Sequence, residues 1–156
     1  MNMFNKIVDT FVSIKETYIT EVRTGVAGIS VTIAAFRLND QGIMELAIGK
    51  RKSEPEKGMN ALPGGLVEIG ESVKQGATRE LGEETGIILN SDRLIFVTNR
   101  EGFEGRSKID YLFTTLVDKD QFVRDGSDLE DVKWTKVDAL PALAFYDNYA
   151  VPRAYR

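Results

Sequence analysis

The sequence predicts an α+β fold in which a mixed β-sheet carries helices on both faces. Two observations lead to this prediction. Strand-like segments come first and in pairs, and the strong helical patterns lie in the middle and near the end of the chain. A doubly wound parallel sheet would instead alternate strands with helices along the chain. The length of 156 residues is that of one domain, and we expect residues 1–156 to form a single unit.

The strands are predicted from apolar and β-branched runs between turn signals. Residues 28–38 are apolar on both faces, which is typical of a central strand buried on both sides. The turn signal at residues 39–42 and the run at 43–51 predict a hairpin that returns antiparallel to this strand. Further strands are expected over residues 94–98, 110–117 and 132–137.

The helices are predicted from the spacing of apolar positions. The strongest pattern covers residues 72–85, and Gly86 ends it in the C′ position. A second helix is expected over residues 138–149, with Pro141 in its first turn and Pro152 beyond its end. A helix that docks on the body or on a second subunit is expected from the N-terminal apolar stripe Met3, Phe4, Ile7, Val8, Phe11 and Val12.

The composition excludes several kinds of chemistry. The chain contains no Cys and no His, which rules out disulfides, thiolate metal sites, Ser–His–Asp triads and His-ligated zinc. Catalysis must therefore use carboxylates, Lys, Arg, Tyr, hydroxyl groups or a hard metal ion. A net charge of −4 argues against a nucleic-acid partner, and no apolar run is long enough to span a membrane. We expect a cytoplasmic protein.

The helix predicted over residues 72–85 carries a cluster of carboxylates. At about 100° of rotation per residue, Glu80, Glu83 and Glu84 share one face. Their mutual repulsion and their position in the last turns both destabilise the helix, which indicates a function. Oxygen ligands of this kind prefer Mg²⁺ or Mn²⁺ to Zn²⁺, although a solvated acidic face is an equally good interpretation of these three residues alone. Gly76, one turn before Glu80, is expected to leave space in which a ligand could bind.

The residues around this cluster form a more specific pattern. Five residues separate Gly65 from Glu71, and seven more lead to the run Arg79-Glu80-Leu81-Gly82-Glu83-Glu84-Thr85-Gly86-Ile87. This pattern resembles the signature of the Nudix hydrolases at every specified position. The resemblance extends over residues 26–150 and leaves the first 25 residues as an N-terminal extension.

The resemblance implies an α/β/α sandwich with a mixed β-sheet, and an enzyme that hydrolyses a phosphoanhydride with water and a divalent metal. The implied ligands of magnesium, or alternatively of manganese, are three carboxylates and one backbone carbonyl: Glu80, Glu83, Glu84 and either Gly64 or Gly65. Arg79 is expected to orient Glu80 or Glu71. The candidate catalytic residues are therefore Glu71, Arg79, Glu80, Glu83 and Glu84.

The general base has two possible locations. Because the chain has no His, the base is a carboxylate or a metal-held hydroxide. One location is Glu80. The other is an acidic segment after the helix, for which a solvated turn is the alternative interpretation: Asp125, Asp128, Glu130 and Asp131.

The C-terminal segment gives the prediction of substrate. From Trp134 to Phe145 it resembles Nudix enzymes that act on ADP-ribose, and it departs at Tyr146-Asp147, where Asp-His is expected. An adenine needs an aromatic platform, for which the candidates are Phe103, Phe145, Tyr146 and Tyr149. Cationic side chains are expected to meet phosphate or ribose. The candidate substrate-binding residues are thus Arg51, Lys52, Phe103 and Arg106.

The function expected from the resemblance is metal-dependent cleavage of a nucleoside diphosphate derivative, with ADP-ribose giving AMP and ribose 5-phosphate as the first choice. A nucleoside triphosphate or a dinucleoside polyphosphate is the alternative substrate. A sensor that binds a nucleotide without cleaving it is the alternative of another class, and the intact signature favours the enzyme over it. A homodimer is also expected, because the apolar stripe in residues 1–25 needs a partner.

Overall fold

The computed structural model describes residues 27–101, 107–145 and 147–155. The predicted N-terminal helix and the homodimer inferred from it lie outside these residues. In these described residues, two α-helices and two short 3₁₀ turns, at Ser91–Arg93 and Val137–Ala139, accompany the strands. The bounds of the main elements are β1 Ala27–Leu38, β2 Met44–Arg51, β3 Asn60–Ala61, β4 Gly64–Leu66, α1 Val73–Thr85, β5 Ile95–Glu101, β6 Ser107–Val117, β7 Leu129–Lys136 and α2 Asp147–Ala154.

The sheet is mixed, as predicted. β1 pairs in parallel with β6 along almost its whole length, and antiparallel with β2 and β4 at different parts of its other edge. The order β3-β2-β1-β6-β5 leaves β5 at one edge, while β7 pairs with β2. The hairpin predicted at residues 39–42 is confirmed, because β2 returns antiparallel to β1 immediately after this turn.

Two helical layers cover opposite faces of this sheet. Successive residues of a strand point to opposite faces, so Val31 and Ile33 pack in one core cluster with Leu81 of α1. Ala34 packs in the other core cluster, with Val151 of α2. The α+β class and the α/β/α sandwich are therefore confirmed.

The helix α1 begins and ends close to the predicted positions. Ser72 caps its N-terminus: the Ser72 hydroxyl accepts a hydrogen bond from the Gln75 N–H, and the Gln75 side chain accepts one from the Ser72 N–H. Gly86 ends the helix with φ of 77°, in the left-handed region that glycine adopts without strain. Local sequence signals therefore fix both ends of the element that carries the carboxylates.

The second helix is placed wrongly by the sequence pattern. α2 begins at Asp147 and contains Pro152, whereas the prediction ended a helix before this proline. Long-range hydrogen bonds keep residues 140–145 out of a helix: the Ala144 N–H donates to the Asn60 carbonyl, and the Asp147 carboxylate accepts from the Leu62 N–H. In the described part of the chain, no helix is long and apolar enough to cross a membrane.

Candidate active site

Arg79 holds three carboxylates together at the surface of α1. Its Nε and Nη2 donate to the two oxygens of Glu71 at 3.2 and 2.8 Å. Its Nη1 donates to Glu80 at 2.8 Å and to Glu83 at 3.2 Å, and Nη2 also reaches the Leu66 carbonyl at 2.8 Å. The hydrogen bond to Glu71 is the largest cause that raises the pKa of the guanidinium. A single cation therefore fixes the positions of both carboxylates that it was expected to orient.

Glu71 fills the space beside Gly76. A Cβ on Gly76 would lie 2.9 Å from Glu71 Oε1 and 3.2 Å from the Val67 side chain. The expectation that Gly76 leaves room for a ligand is therefore wrong, because the Glu71 carboxylate occupies that room. Hydrogen bonds from Arg79, and then from the Glu68 N–H, lower the pKa of Glu71, so this carboxylate is ionised.

Glu80 lies against the backbone of Gly65. A Cβ on Gly65 would overlap the Glu80 carboxylate, which explains why the pattern requires glycine here. The Glu80 side chain is 12% exposed, and its burial raises its pKa in spite of the hydrogen bond from Arg79. The charges of Glu83 and Glu84 raise this pKa further. Negative charge is therefore concentrated at this point, as the helical spacing predicted.

Glu84 is buried beneath the loop that precedes β7. Only 1% of the residue is exposed. Its Oε1 accepts a hydrogen bond from the Ser127 hydroxyl at 2.6 Å, and both its oxygens accept from the Asp128 N–H at 3.1 Å. A Cβ on Gly126 would overlap the backbone of Glu84, so this loop packs closely on the last turn of α1.

The donor set fits a hard divalent cation. The predicted ligands Glu80, Glu83, Glu84 and Gly64 all offer oxygen atoms, which hard cations such as Mg²⁺ prefer. Within residues 27–101, 107–145 and 147–155, no three acidic side chains already converge closely enough to hold an ion. A cation at α1 would therefore compete with Arg79, Ser127 and the Asp128 N–H for carboxylate oxygens.

A cavity of about 490 Å³ opens beside these carboxylates. Gly64 and Gly65 line it together with Glu84, so the glycines predicted to supply a carbonyl ligand border the same space as a predicted carboxylate ligand. A Cβ on Gly64 would overlap the Val31 carbonyl, which explains the second glycine of the bend. Arg51 also lines the cavity, and its guanidinium carbon lies 4.5 Å from the centre of the Phe145 ring.

The same cavity contains two further buried carboxylates. Asp110 on β6 accepts hydrogen bonds from the Ser30 hydroxyl at 2.8 Å and from the Thr32 hydroxyl at 3.1 and 3.2 Å. Asp147, at the start of α2, accepts from the Leu62 N–H at 2.8 Å. Burial is the largest cause that raises the pKa of Asp147 to about 7, and the charge of Asp110 adds to it.

Comparison with known proteins identifies the family. The family model of the NUDIX domain matches residues 28–154. The chain belongs to the Nudix family. This finding confirms the resemblance read from the spacing between Gly65 and Ile87.

This Nudix chain is similar in sequence to curated proteins, two of which have the following names and coverage. It is 35% identical over 96 residues to an ADP-ribose pyrophosphatase of Methanocaldococcus jannaschii, a match that covers 62% of this chain and 57% of that protein. It is 33% identical over 97 residues to a putative 8-oxo-dGTP diphosphatase of Bacillus subtilis, covering 62% and 61%. The chain thus spans about three fifths of the length of these curated relatives.

A solved structure shares the fold. The Nudix domain of Shewanella oneidensis NrtR, crystallised with ADP-ribose, superposes with a TM-score of 0.70 at 23% identity. The match covers 83% of this chain and 86% of that one. At this identity the likeness concerns the fold alone.

The acidic segment after the Nudix helix divides into different environments. Asp128 lines the cavity together with Glu84. Asp125 accepts a hydrogen bond from the Val132 N–H at 3.0 Å, and Asp131 pairs with lysines at the surface. Glu130 is exposed. Of this segment, only Asp128 lies where it could act on a ligand in the cavity.

The predicted substrate-binding residues are also divided. Arg51 lines the cavity, but Lys52 is used elsewhere: its Nζ donates to the Gly126 carbonyl at 2.5 Å and so holds the loop over Glu84. Phe103 and Arg106, together with the candidate platform Tyr146 and the side chain of Tyr149, lie outside the described residues.

Sequence reasoning missed Asp110 and Asp147 as site residues. For Asp110 a signal exists, since a carboxylate stands inside an apolar strand between Ile109 and Tyr111. For Asp147 the signal was the departure from the expected Asp-His pair, which showed that the position differs from the family pattern without showing what it contacts.

Proposed function

We propose that this Nudix chain is a divalent-metal-dependent pyrophosphohydrolase of nucleoside diphosphate derivatives, with ADP-ribose as its substrate and AMP and ribose 5-phosphate as products. The observation that supports it best is the group of carboxylates that Arg79 holds on α1, beside a cavity lined by Glu84, Gly64 and Gly65. Fixed carboxylates next to an open cavity are the arrangement that a metal-bridged diphosphate requires.

The metal would be held by the Glu80, Glu83 and Glu84 carboxylates and by the Gly64 carbonyl. Mg²⁺ is the first choice and Mn²⁺ the alternative, because both prefer oxygen ligands. When bound, such an ion neutralises diphosphate charge and lowers the pKa of a bound water. Without it, the acidic cavity would repel the substrate.

The chain's own residues position the carboxylates and accept the proton of the attacking water. Arg79 is a positioning residue, since its fork-shaped guanidinium fixes Glu71 and Glu80 in one orientation. Hydrolysis adds the oxygen of water to one phosphorus and breaks that atom's bond to the bridging oxygen. The water proton passes to a carboxylate, for which Glu80 and Asp128 are the candidates, and the two phosphate monoesters leave.

The choice of ADP-ribose rests on similar proteins and on the C-terminal segment. A relative is named an ADP-ribose pyrophosphatase, and a structural neighbour was crystallised with ADP-ribose. A nucleoside triphosphate is the second candidate, because another relative is named a putative 8-oxo-dGTP diphosphatase. A net charge of −4 supports a small nucleotide rather than a nucleic acid as the partner.

A nucleotide panel tests the proposal. The chain is incubated with ADP-ribose, nucleoside triphosphates and a dinucleoside polyphosphate in the presence of Mg²⁺, Mn²⁺ or a chelator, and the products are separated by anion-exchange chromatography. AMP and ribose 5-phosphate from ADP-ribose, lost on chelation, are expected. Pyrophosphate from a triphosphate would replace the first substrate by the second candidate. Tight binding of ADP-ribose without any product would make the chain a sensor and refute the proposed hydrolysis.

A further inference from the structure

Two cavities meet at the buried carboxylates of Asp110 and Asp147. Both residues line the 490 Å³ cavity that contains Glu84, and both line a second cavity of about 330 Å³. Thr32 is also shared by the two cavities. A ligand that occupies the space beside the Nudix helix and extends into the second cavity must pass these carboxylates.

Both carboxylates are buried, and Asp147 still has capacity to accept a hydrogen bond. Asp110 and Asp147 are each 8% exposed. Asp147 uses Oδ2 for the Leu62 N–H, and no donor from the described residues reaches its Oδ1. An ionised carboxylate offers about four acceptor positions, so this oxygen is available to a donor from a ligand in the cavity.

The surroundings favour hydroxyl groups as the donors. The groups that donate hydrogen bonds to Asp110 are hydroxyls, from Ser30 and Thr32, and the Arg100 guanidinium forms an ion pair with Asp110 Oδ2 at 3.9 Å. The described residues that line the second cavity include Thr98, Asn99 and Arg100, which are polar. Polar side chains of this kind can bond to the hydroxyl groups of a sugar.

We propose that Asp110 and Asp147 form a diol-binding subsite that selects ribose over deoxyribose in the substrate. This inference rests on the proposed function and adds a specificity to it. Carboxylates are the side chains that recognise ribose hydroxyls in other nucleotide sites, because they only accept when ionised and hydroxyls can only satisfy them by donating. At pH values near 7 the neutral form of Asp147 can also donate to a hydroxyl, so the contact persists on both sides of its pKa.

The expected consequence is strong rejection of substrates that lack a hydroxyl. A site built to hydrogen-bond a hydroxyl leaves its own buried polar groups unpaired when the hydroxyl is missing. We expect kcat/KM to fall about 100-fold or more when a 2-deoxyribose replaces one of the two riboses of ADP-ribose. The subsite would thus favour ADP-ribose over a deoxynucleoside triphosphate such as the one in the name of a relative.

The test compares ADP-ribose with its two monodeoxy analogues, one altered in the adenosine and one in the terminal ribose. Calorimetric affinities and kcat/KM are both measured. A loss of about 100-fold for at least one analogue supports the subsite, and equal values for all three compounds overturn it. The affinity ratio decides the inference even if no compound is hydrolysed, a result that would refute the proposed function alone. Failure to bind any of the compounds would refute both.

Variants then assign the selection to the two carboxylates. Asp110→Asn and Asp147→Asn should each reduce the preference for ribose at least tenfold, mainly by lowering the affinity for ADP-ribose. Asp92→Asn, at an exposed position, should leave this preference unchanged. Thermal melting checks that each variant folds. If the folded variants keep the full preference for ribose, another part of the chain binds the diol and the assignment to Asp110 and Asp147 is wrong. The comparison of analogues on the unaltered chain remains decisive if a variant fails to fold.

Discussion

The chain contains two groups of carboxylates that differ in how they are held. Arg79 of α1 connects Glu80 and Glu83 of the same helix with Glu71, which precedes it, and all three lie within eight positions of Arg79 in the sequence. In the cavity, Asp110 receives its hydrogen bond from Ser30, a residue 80 positions away, and Asp147 receives its bond from a residue 85 positions away. The first group is local and the second is assembled by the fold.

This difference teaches where sequence reasoning succeeds. A helix repeats every 3.6 residues, so the spacing of Glu80, Glu83 and Glu84 already places them near one another. No period links Ser30 to Asp110, because their contact depends on the parallel pairing of β1 with β6. Groups of residues within one helix can therefore be predicted from their spacing in the sequence. Groups that form across a sheet can be predicted only when the register of the paired strands is known.

Removal of the charge of Glu84, the carboxylate of α1 that lines the cavity, should have the largest effect. In Glu84→Gln, the amide oxygen can keep the hydrogen bonds at Oε1 from Ser127 and Asp128, so the fold should survive. The loss of a charged metal ligand should lower kcat about 10³-fold, which corresponds to about 4 kcal/mol. The measurement is steady-state hydrolysis of ADP-ribose over a range of Mg²⁺ concentrations.

The matched control for Glu84→Gln is Glu68→Gln, which makes the same chemical change at an exposed glutamate just before α1. It should retain nearly full activity. Near-normal kcat in Glu84→Gln would show that this buried carboxylate serves only to anchor the loop above it, and would remove it from the proposed ligands.

The same distinction explains what could be predicted of the fold. The central strand, the hairpin and α1 were all predictable, because buried strands, turn residues and caps act over a few residues. The position of α2 was not, because the non-helical path of residues 140–145 depends on the hydrogen bond from the Ala144 N–H to the carbonyl of Asn60 in β3. Pro152 was taken to end the helix, although its helix starts only five residues before it.

The candidate site divides in the same way. The carboxylate cluster and Arg79 follow from helical spacing, but the burial of Glu84 depends on Ser127 and Gly126, which reach it from a distant loop. Lys52 was assigned to the substrate because it is cationic and near Arg51, yet its partner is a carbonyl of that loop. A charge alone does not show in the sequence whether it faces a ligand or its own chain.

The ionisation of Asp147 in the cavity should make the free energy of unfolding depend on pH. Burial raises the pKa of Asp147 to about 7, while Asp110 raises it and Arg100 and Arg51 lower it. Because the folded state binds this proton more tightly than the unfolded state, the contribution is fully present below about pH 4 and is lost as the pH rises through 7. It should amount to at most about 4 kcal/mol of unfolding free energy.

Asp147→Asn separates this contribution from those of other groups. Asn cannot ionise, and it can still accept from the Leu62 N–H. The unfolding free energy of the variant minus that of the unaltered chain should rise between pH 4 and pH 7 and level off above pH 8, as measured by urea denaturation. Exposed Asp138→Asn is the control and should give a flat difference. Parallel curves for the Asp147 variant and the unaltered chain would mean that the carboxylate is not held in its neutral form.

A smaller effect is expected from a substitution at Gly65, whose backbone contacts the Glu80 carboxylate. In Gly65→Ala the new methyl group would overlap the Glu80 carboxylate and displace it from Arg79. Because this carboxylate is the end of a flexible side chain, its displacement should cost little stability, but a misplaced carboxylate should lower kcat/KM about tenfold. The control is Gly28→Ala on β1, where a Cβ would meet only the Leu66 side chain at an ordinary 3.6 Å. If both variants keep full activity, the close approach of Gly65 does not position Glu80, and the local geometry of α1 alone is sufficient to hold the carboxylates.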